Sequence, residues 1–184
     1  MFVVYINHHL LGLGMAKGLK PSSSTVAIGF SVTETAPNTF TQSQTDLNLS
    51  PLDREVFVVL AINMDGSSPD AQAGINSAVA GMVTTTSQSA MQDLANSNLL
   101  ARRSERIRAQ GFVDGGVSFS EAALETPPAT LEYIGIIATN DFFVGIEGTN
   151  CISPKTVTGK LYGYRAVASA DIYAALVQSE VLSA

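Results

Sequence analysis

The sequence predicts an all-β protein, an antiparallel β-sandwich of jelly-roll type with about eight strands and a short C-terminal helix. Three observations predict it. Between positions 131 and 166 lie three short runs, 131–138, 142–147 and 156–166, rich in β-branched and aromatic residues and separated by Asn, Asp, Gly, Ser and Pro. That is the pattern of adjacent antiparallel strands. Similar runs recur along the chain at spacings of roughly 8 to 15 residues with no helix between successive ones, which argues against a parallel sheet. Finally, the 184 residues are 46% apolar and only 14% charged, against about a quarter charged in an average soluble protein. Either Ser, Thr, Asn and Gln cover the surface, or its flanks are buried against neighbours.

Residues 1–24 read as an N-terminal arm and linker, and 25–184 as one sandwich domain. Within the arm, 1–6 and 10–14 are apolar, interrupted by Asn7, His8 and His9, and Gly18 to Thr25 reads as linker. Residues 26–34 alternate, with Val26, Ile28, Phe30 and Val32 on one side and Ala27, Gly29, Ser31 and Thr33 on the other, as in a half-buried strand. Ala36, Pro37 and Asn38 form a turn. The polar, β-prone segment 39–50 is an expected edge strand, with Leu47 and Leu49 on one face. Residues 56–62 are the most apolar run, and their length and β-branching predict a strand buried on both faces. Residues 63–74 read as a Gly/Ser/Pro/Asp loop, and 78–86 as a strand of small residues. Met91, Leu94, Ala95 and Leu99 stand near helical spacing, which suggests a short helix within 89–100. Residues 105–119 read as a hairpin turning at Asp114-Gly115, a pair suited to the positive φ of a tight turn. Residues 121–130 form a loop. Ser169 can cap a terminal helix over 169–182 whose inner face is Ile172 and Leu176, extended by Ser179 and Leu182.

Composition excludes several classes. A net charge of −6 disfavours a domain that grips nucleic acid along its length. A single cysteine allows no intrachain disulfide framework. No apolar run reaches the ~18 residues of a transmembrane helix. The N-terminus lacks the basic region and small-residue cleavage site of a signal peptide, and Met15 would itself serve as a start.

The polar residues do not assemble into recognisable chemistry. Adjacent His8 and His9 point to opposite faces of a strand and cannot share a metal there. Cys151 has no sequence-near base to hold it as thiolate, so a passive small side chain is expected. Oxygen-rich residues 63–70 could form a calcium loop but lack the EF-hand spacing. Glu121, Glu125 and Glu132 are scattered, and Gly115 and Gly116 do not fit a phosphate-binding fingerprint. The sequon at Asn48 is followed by Pro51 and has no secretion signal behind it. No cofactor motif is found, and no enzyme activity is expected. The one charge cluster is Arg102, Arg103, Arg106 and Arg108. It reads as a solvated segment, as a subunit contact in which guanidinium forks meet a neighbour's acids, or as a contact with nucleic acid or anionic lipid. Without interleaved aromatics, single-strand stacking is weak.

The strand runs 26–34, 55–63, 107–119, 131–147 and 156–166, with the polar edge 39–50, resemble the single jelly-roll coat proteins of small and medium icosahedral viruses. The resemblance implies a structural virion protein, a self-assembling capsid subunit whose partners are copies of itself and other capsid proteins. Phe2, Val3 and Val4 of the arm and the four arginines are then the candidate inter-subunit contacts. Many such proteins condense a single-stranded genome with a basic arm, whereas here that end holds only Lys17 and Lys20. A tail-less DNA virus with separate packaging is the better match. Two other classes remain. A carbohydrate- or protein-binding sandwich of a fibre, pilus or secreted protein would be extracellular and would display Tyr133, Tyr162 and Tyr164. A cupin-type metalloenzyme would need clustered histidines.

Overall fold

The computed structural model describes residues 18–111, 113, 114, 116–122 and 131–182. Among these residues the chain forms ten strands and one helix: β1 Leu19–Pro21, β2 Val26–Thr33, β3 Thr41–Asp46, β4 Glu55–Gly66, β5 Ser77–Thr84, β6 Leu99–Arg108, β7 Val117–Ala122, β8 Gly135–Ile137, β9 Asp141–Thr149, β10 Thr156–Ala168 and α1 Ala170–Leu182. The strands build two five-stranded sheets, antiparallel throughout. In the first sheet β10 has β4 on one side and β1 and β2 on the other, and β8 lies beyond β4. The second runs β3-β9-β5-β6-β7.

The pairing has a simple logic. β2 pairs with β10, β3 with β9, β4 with β8, and β5 with β6. The chain is thus one long hairpin centred on β5–β6, rolled so that successive pairs fall in alternate sheets. That wrap is a jelly roll, with β1 and β7 added to its edges.

The expected neighbours at 131–166 are therefore not neighbours. β8 and β10 lie in the first sheet on opposite sides of β4, and β9 lies in the second sheet between β3 and β5. Alternating apolar residues identify a strand, but they do not say which strand it pairs with. Here each connection crosses the ~10 Å between sheets instead of turning back in one. The first of these runs is also shorter than expected. Only Gly135–Ile137 is strand, although the Ile134 N–H still reaches the Val59 carbonyl at 2.9 Å.

Four other expectations change. Leu19–Pro21, read as linker, forms β1, and Gly18 before it packs on Ile172 at φ 91°, a conformation that strains any other residue. Residues 63–66, read as loop, continue β4 along β10. Residues 89–98 form turns, not a helix. Asp93 and Asn96 accept the backbone N–H two residues on, at 2.9 and 2.8 Å, and these local bonds compete with a helix; Leu94 is 73% exposed. The β6–β7 connection is longer than a two-residue turn, and Gly115 of the expected turn lies outside the described residues. Arg108 faces Val117, and Asn76 Oδ1 takes the N–H groups of Ala109 and Gln110 at 3.0 Å each, drawing the chain out of the ladder.

One core fills the sandwich. Phe30, Phe57, Val59, Val83, Phe142, Val144, Ile146 and Leu161 interdigitate there, with Phe30 edge-on to Phe142 at 6.1 Å. A second apolar layer covers the outside of the first sheet, where Ile172, Tyr173, Leu176 and Val177 of α1 lie on Val56, Val58, Ala166 and Ala168. This explains why Val56 through Val59 are all buried, alternate residues meeting the sandwich core and the helix; the rest of the expected run is not, with Leu60 and Ile62 half-buried and Ala61 exposed. Ser169 stands at the start of α1, and its carbonyl accepts the Tyr173 N–H at 2.9 Å. Ile172 and Leu176 face inward as expected, but the face continues through another residue. Glu180 is turned in, whereas Ser179 and Leu182 are exposed.

Candidate functional site

The four arginines share β6 but not one surface. Strand alternation turns Arg103 inward, where it pairs with Glu105 and donates to the Met64 carbonyl at 2.7 Å, bridging the two sheets. Arg102, Arg106 and Arg108 share the outer face with Ser104. Their own partners are weak. Arg106 is 3.4 Å from Glu121, Arg108 lies over the Phe119 ring at 5.9 Å, and Arg102 makes no hydrogen bond or ion pair among the described residues. A shallow cavity of about 330 Å³ opens at the end of this row, lined by Asn76, Ala78, Arg106, Arg108, Thr149 and Asn150. The β6 row of the second sheet's outer face is therefore cationic, flanked on the same face by Glu121 of β7 and Glu147 of β9.

At one end of the sandwich, polar side chains tie loops together, Glu34 and Lys155 buried among them. Glu34 accepts N–H groups from Thr39 (3.1 Å), Gly148 (2.7 Å) and Lys155 (2.8 Å). The Asn38 carboxamide donates to the Cys151 carbonyl and accepts the Cys151 N–H. Asp70 holds the Lys155 ammonium at 2.7 Å and accepts the Ile152 N–H at 2.7 Å, and the ammonium bond above all lowers its pKa. These contacts overturn the calcium loop over 63–70: Asn63 and Asp65 are in β4, and Asp70 already has its cation. No group of three or more His, Cys, Asp or Glu among the described residues is placed to hold a metal. Buried Cys151 directs its thiol at the Ala78 carbonyl, 3.4 Å away.

The outer face of the first sheet differs. Helix α1 covers it and is apolar on both of its own sides. Inward lie Ile172, Tyr173, Leu176 and Val177; outward lie Ala174, Ala175, Gln178, Val181 (62% exposed) and Leu182 (76% exposed), with Asp171 the one exposed charge of the helix. Glu180, 6% exposed, accepts the Ala138 and Thr139 N–H groups at 2.9 Å each and so fastens the helix end to the β8–β9 connection. Burial pushes its carboxyl above the usual range, these two bonds oppose the shift, and nearby Asp141 adds to it. Asp141 is itself raised, by burial and then by Asp46. Sequence reasoning missed Glu180, although positions 172, 176 and 180 stand four apart and mark one helical face.

Of the three tyrosines, Tyr133 and Tyr164 pack into the layer under α1, and Tyr162 is half-buried beyond it. Phe2, Val3, Val4, His8, His9 and Glu125 lie outside the described residues. Glu121 is on β7, and Glu132 is exposed in the segment before β8. Searches with family models and of curated proteins find no match to this chain.

Proposed function

We propose that this chain is a structural virion protein, a subunit that assembles with copies of itself into an icosahedral shell. The observation that carries the reading is α1. Its exposed side carries Ala174, Ala175, Val181 and Leu182 beside Gln178, Ser179 and a single charge, Asp171, and no described residue covers that side. A neighbouring copy would cover Ala174, Ala175, Val181 and Leu182. The low charge content and the jelly-roll wrap, an architecture that capsid and lectin domains share, agree with this reading.

The mechanism is repeated weak association that becomes strong on closure. Arg102, Arg106 and Arg108 meet acids of the next copy, and the chain has 16 acids to 10 bases, so complementary partners abound. Phe2, Val3 and Val4 add apolar contact from the arm. Other capsid proteins are possible partners at special positions of the lattice, and the chain does not condense the genome. The glycan-binding alternative loses its platform, since Tyr133 and Tyr164 are engaged under the helix and Tyr162 alone remains. Electron microscopy of the expressed full chain tests the reading. Closed particles of uniform diameter are expected. A preparation without particles, whose chain binds a glycan array through Tyr162, would overturn it in favour of the recognition module.

A further inference from the structure

The wrap leaves four sheet edges among the described residues, and three are blunted. β3 carries Asp46, and its Gln42 and Gln44 are tied to Ser87 (2.8 Å) and Asp141 (2.6 Å). β7 carries Glu121. β8 is three residues long. The fourth edge is made of β1, which carries Lys20 and Pro21, and of β2, which has none of these protections. Val26–Thr33 is eight residues with no charge and no proline, and it pairs with β10 without a register break. Its outward backbone groups have no partner among the described residues. A side chain built on Gly29 would meet nothing within 4 Å, so the outer face of the strand is open there. A long, flat, uncharged edge is a template for another strand.

We propose that β2 pairs antiparallel with β2 of a second copy about a two-fold axis, so that one sheet runs through both molecules. The proposal rests on the assembly reading above and names one of its contacts. Charge points to self-pairing: the chain carries a net −6 and repels itself at most surfaces, but β2 meets β2 without opposing like charges. The alternation of β2 limits the register. Residues opposite one another must share a face, so the axis passes at a residue and not between two. With the axis at Gly29, Val26 opposes Val32, Ile28 opposes Phe30 and Gly29 opposes Gly29; one residue on, at Phe30, Gly29 opposes Ser31 and Val26 meets Glu34.

The full chain tests this by sedimentation velocity. Ser31→Lys places a charge on the open outer face and is expected to weaken association about tenfold or more with an unchanged melting temperature. Gln44→Lys, on the β3 edge, is expected to associate like the parent. Under mild oxidation, Gly29→Cys, or Gly29→Cys combined with Ser31→Cys, is expected to give a disulfide-linked dimer, while buried Cys151 stays out of the reaction. If Ser31→Lys associates as the parent does, or neither cysteine variant cross-links, the β2 contact is overturned while the shell reading stands. If Val4→Lys abolishes association and Ser31→Lys does not, the arm is the partner strand instead. A parent chain that never associates overturns both.

Discussion

The two sheets share one core but turn opposite chemistries outward. The first sheet carries a second apolar layer, α1, whose far side is again apolar. The second carries Arg102, Arg106 and Arg108 with weak partners. The inner faces must be alike because each fills the other's gaps. The outer faces are free to differ, and their difference separates what holds the fold from what is available to neighbours.

The comparison can be broken at its common element first. Phe142→Ala removes a fully buried ring that meets Phe30 and is expected to cost about 3–5 kcal/mol. Both sheets should be lost in a single urea transition, because the core between them is shared. Separate transitions would contradict that.

The attachment of α1 comes next. Glu180→Gln leaves one of the Ala138 and Thr139 N–H groups facing an amide donor, at a cost of about 1–2 kcal/mol near neutral pH. The pH dependence carries a sign. The Glu180 pKa is raised by burial, so the native state holds this proton to higher pH than the unfolded chain. Its contribution is complete below the unfolded value and is lost as pH rises through the native one. Stability of the parent relative to Glu180→Gln should therefore grow as pH falls through the raised native value toward the ordinary glutamate range. A gap that shrinks instead would mean the carboxylate, not the acid, is the favoured form.

The smallest stability effects should separate the two outer faces most sharply. Val181→Lys and Arg108→Ala should each change stability by no more than about 0.5 kcal/mol, since both side chains are exposed. Their effects on association should diverge with salt. Contacts through the arginine face weaken at high ionic strength, whereas apolar contacts through α1 persist. Light scattering at low and high salt reads the difference, and identical salt profiles for the two variants would erase the distinction between the faces.

Much of this fold was legible in the sequence. The alternation of Val26 to Val32, the polar edge that became β3, and the unbroken apolar run at Val56 to Val59 each followed from a local pattern set by burial. Pairing was not legible, because it depends on how the long hairpin rolls up and not on any one segment. The two-residue turn between β6 and β7 and the 89–100 helix failed where side-chain to backbone bonds from Asn76, Asp93 and Asn96 outweighed propensity. At the candidate surface, the arginines were visible as a cluster but not their division between two faces of β6. That division follows from strand alternation once the segment is known to be a strand.

The central claim is that the outer side of α1 is buried by another copy of this chain. Sedimentation velocity over a dilution series, comparing the parent with Val181→Lys, tests it most directly. The account predicts large, concentration-dependent assemblies for the parent and a shift toward monomer for the variant. A parent chain that sediments as a monomer at every concentration would contradict it.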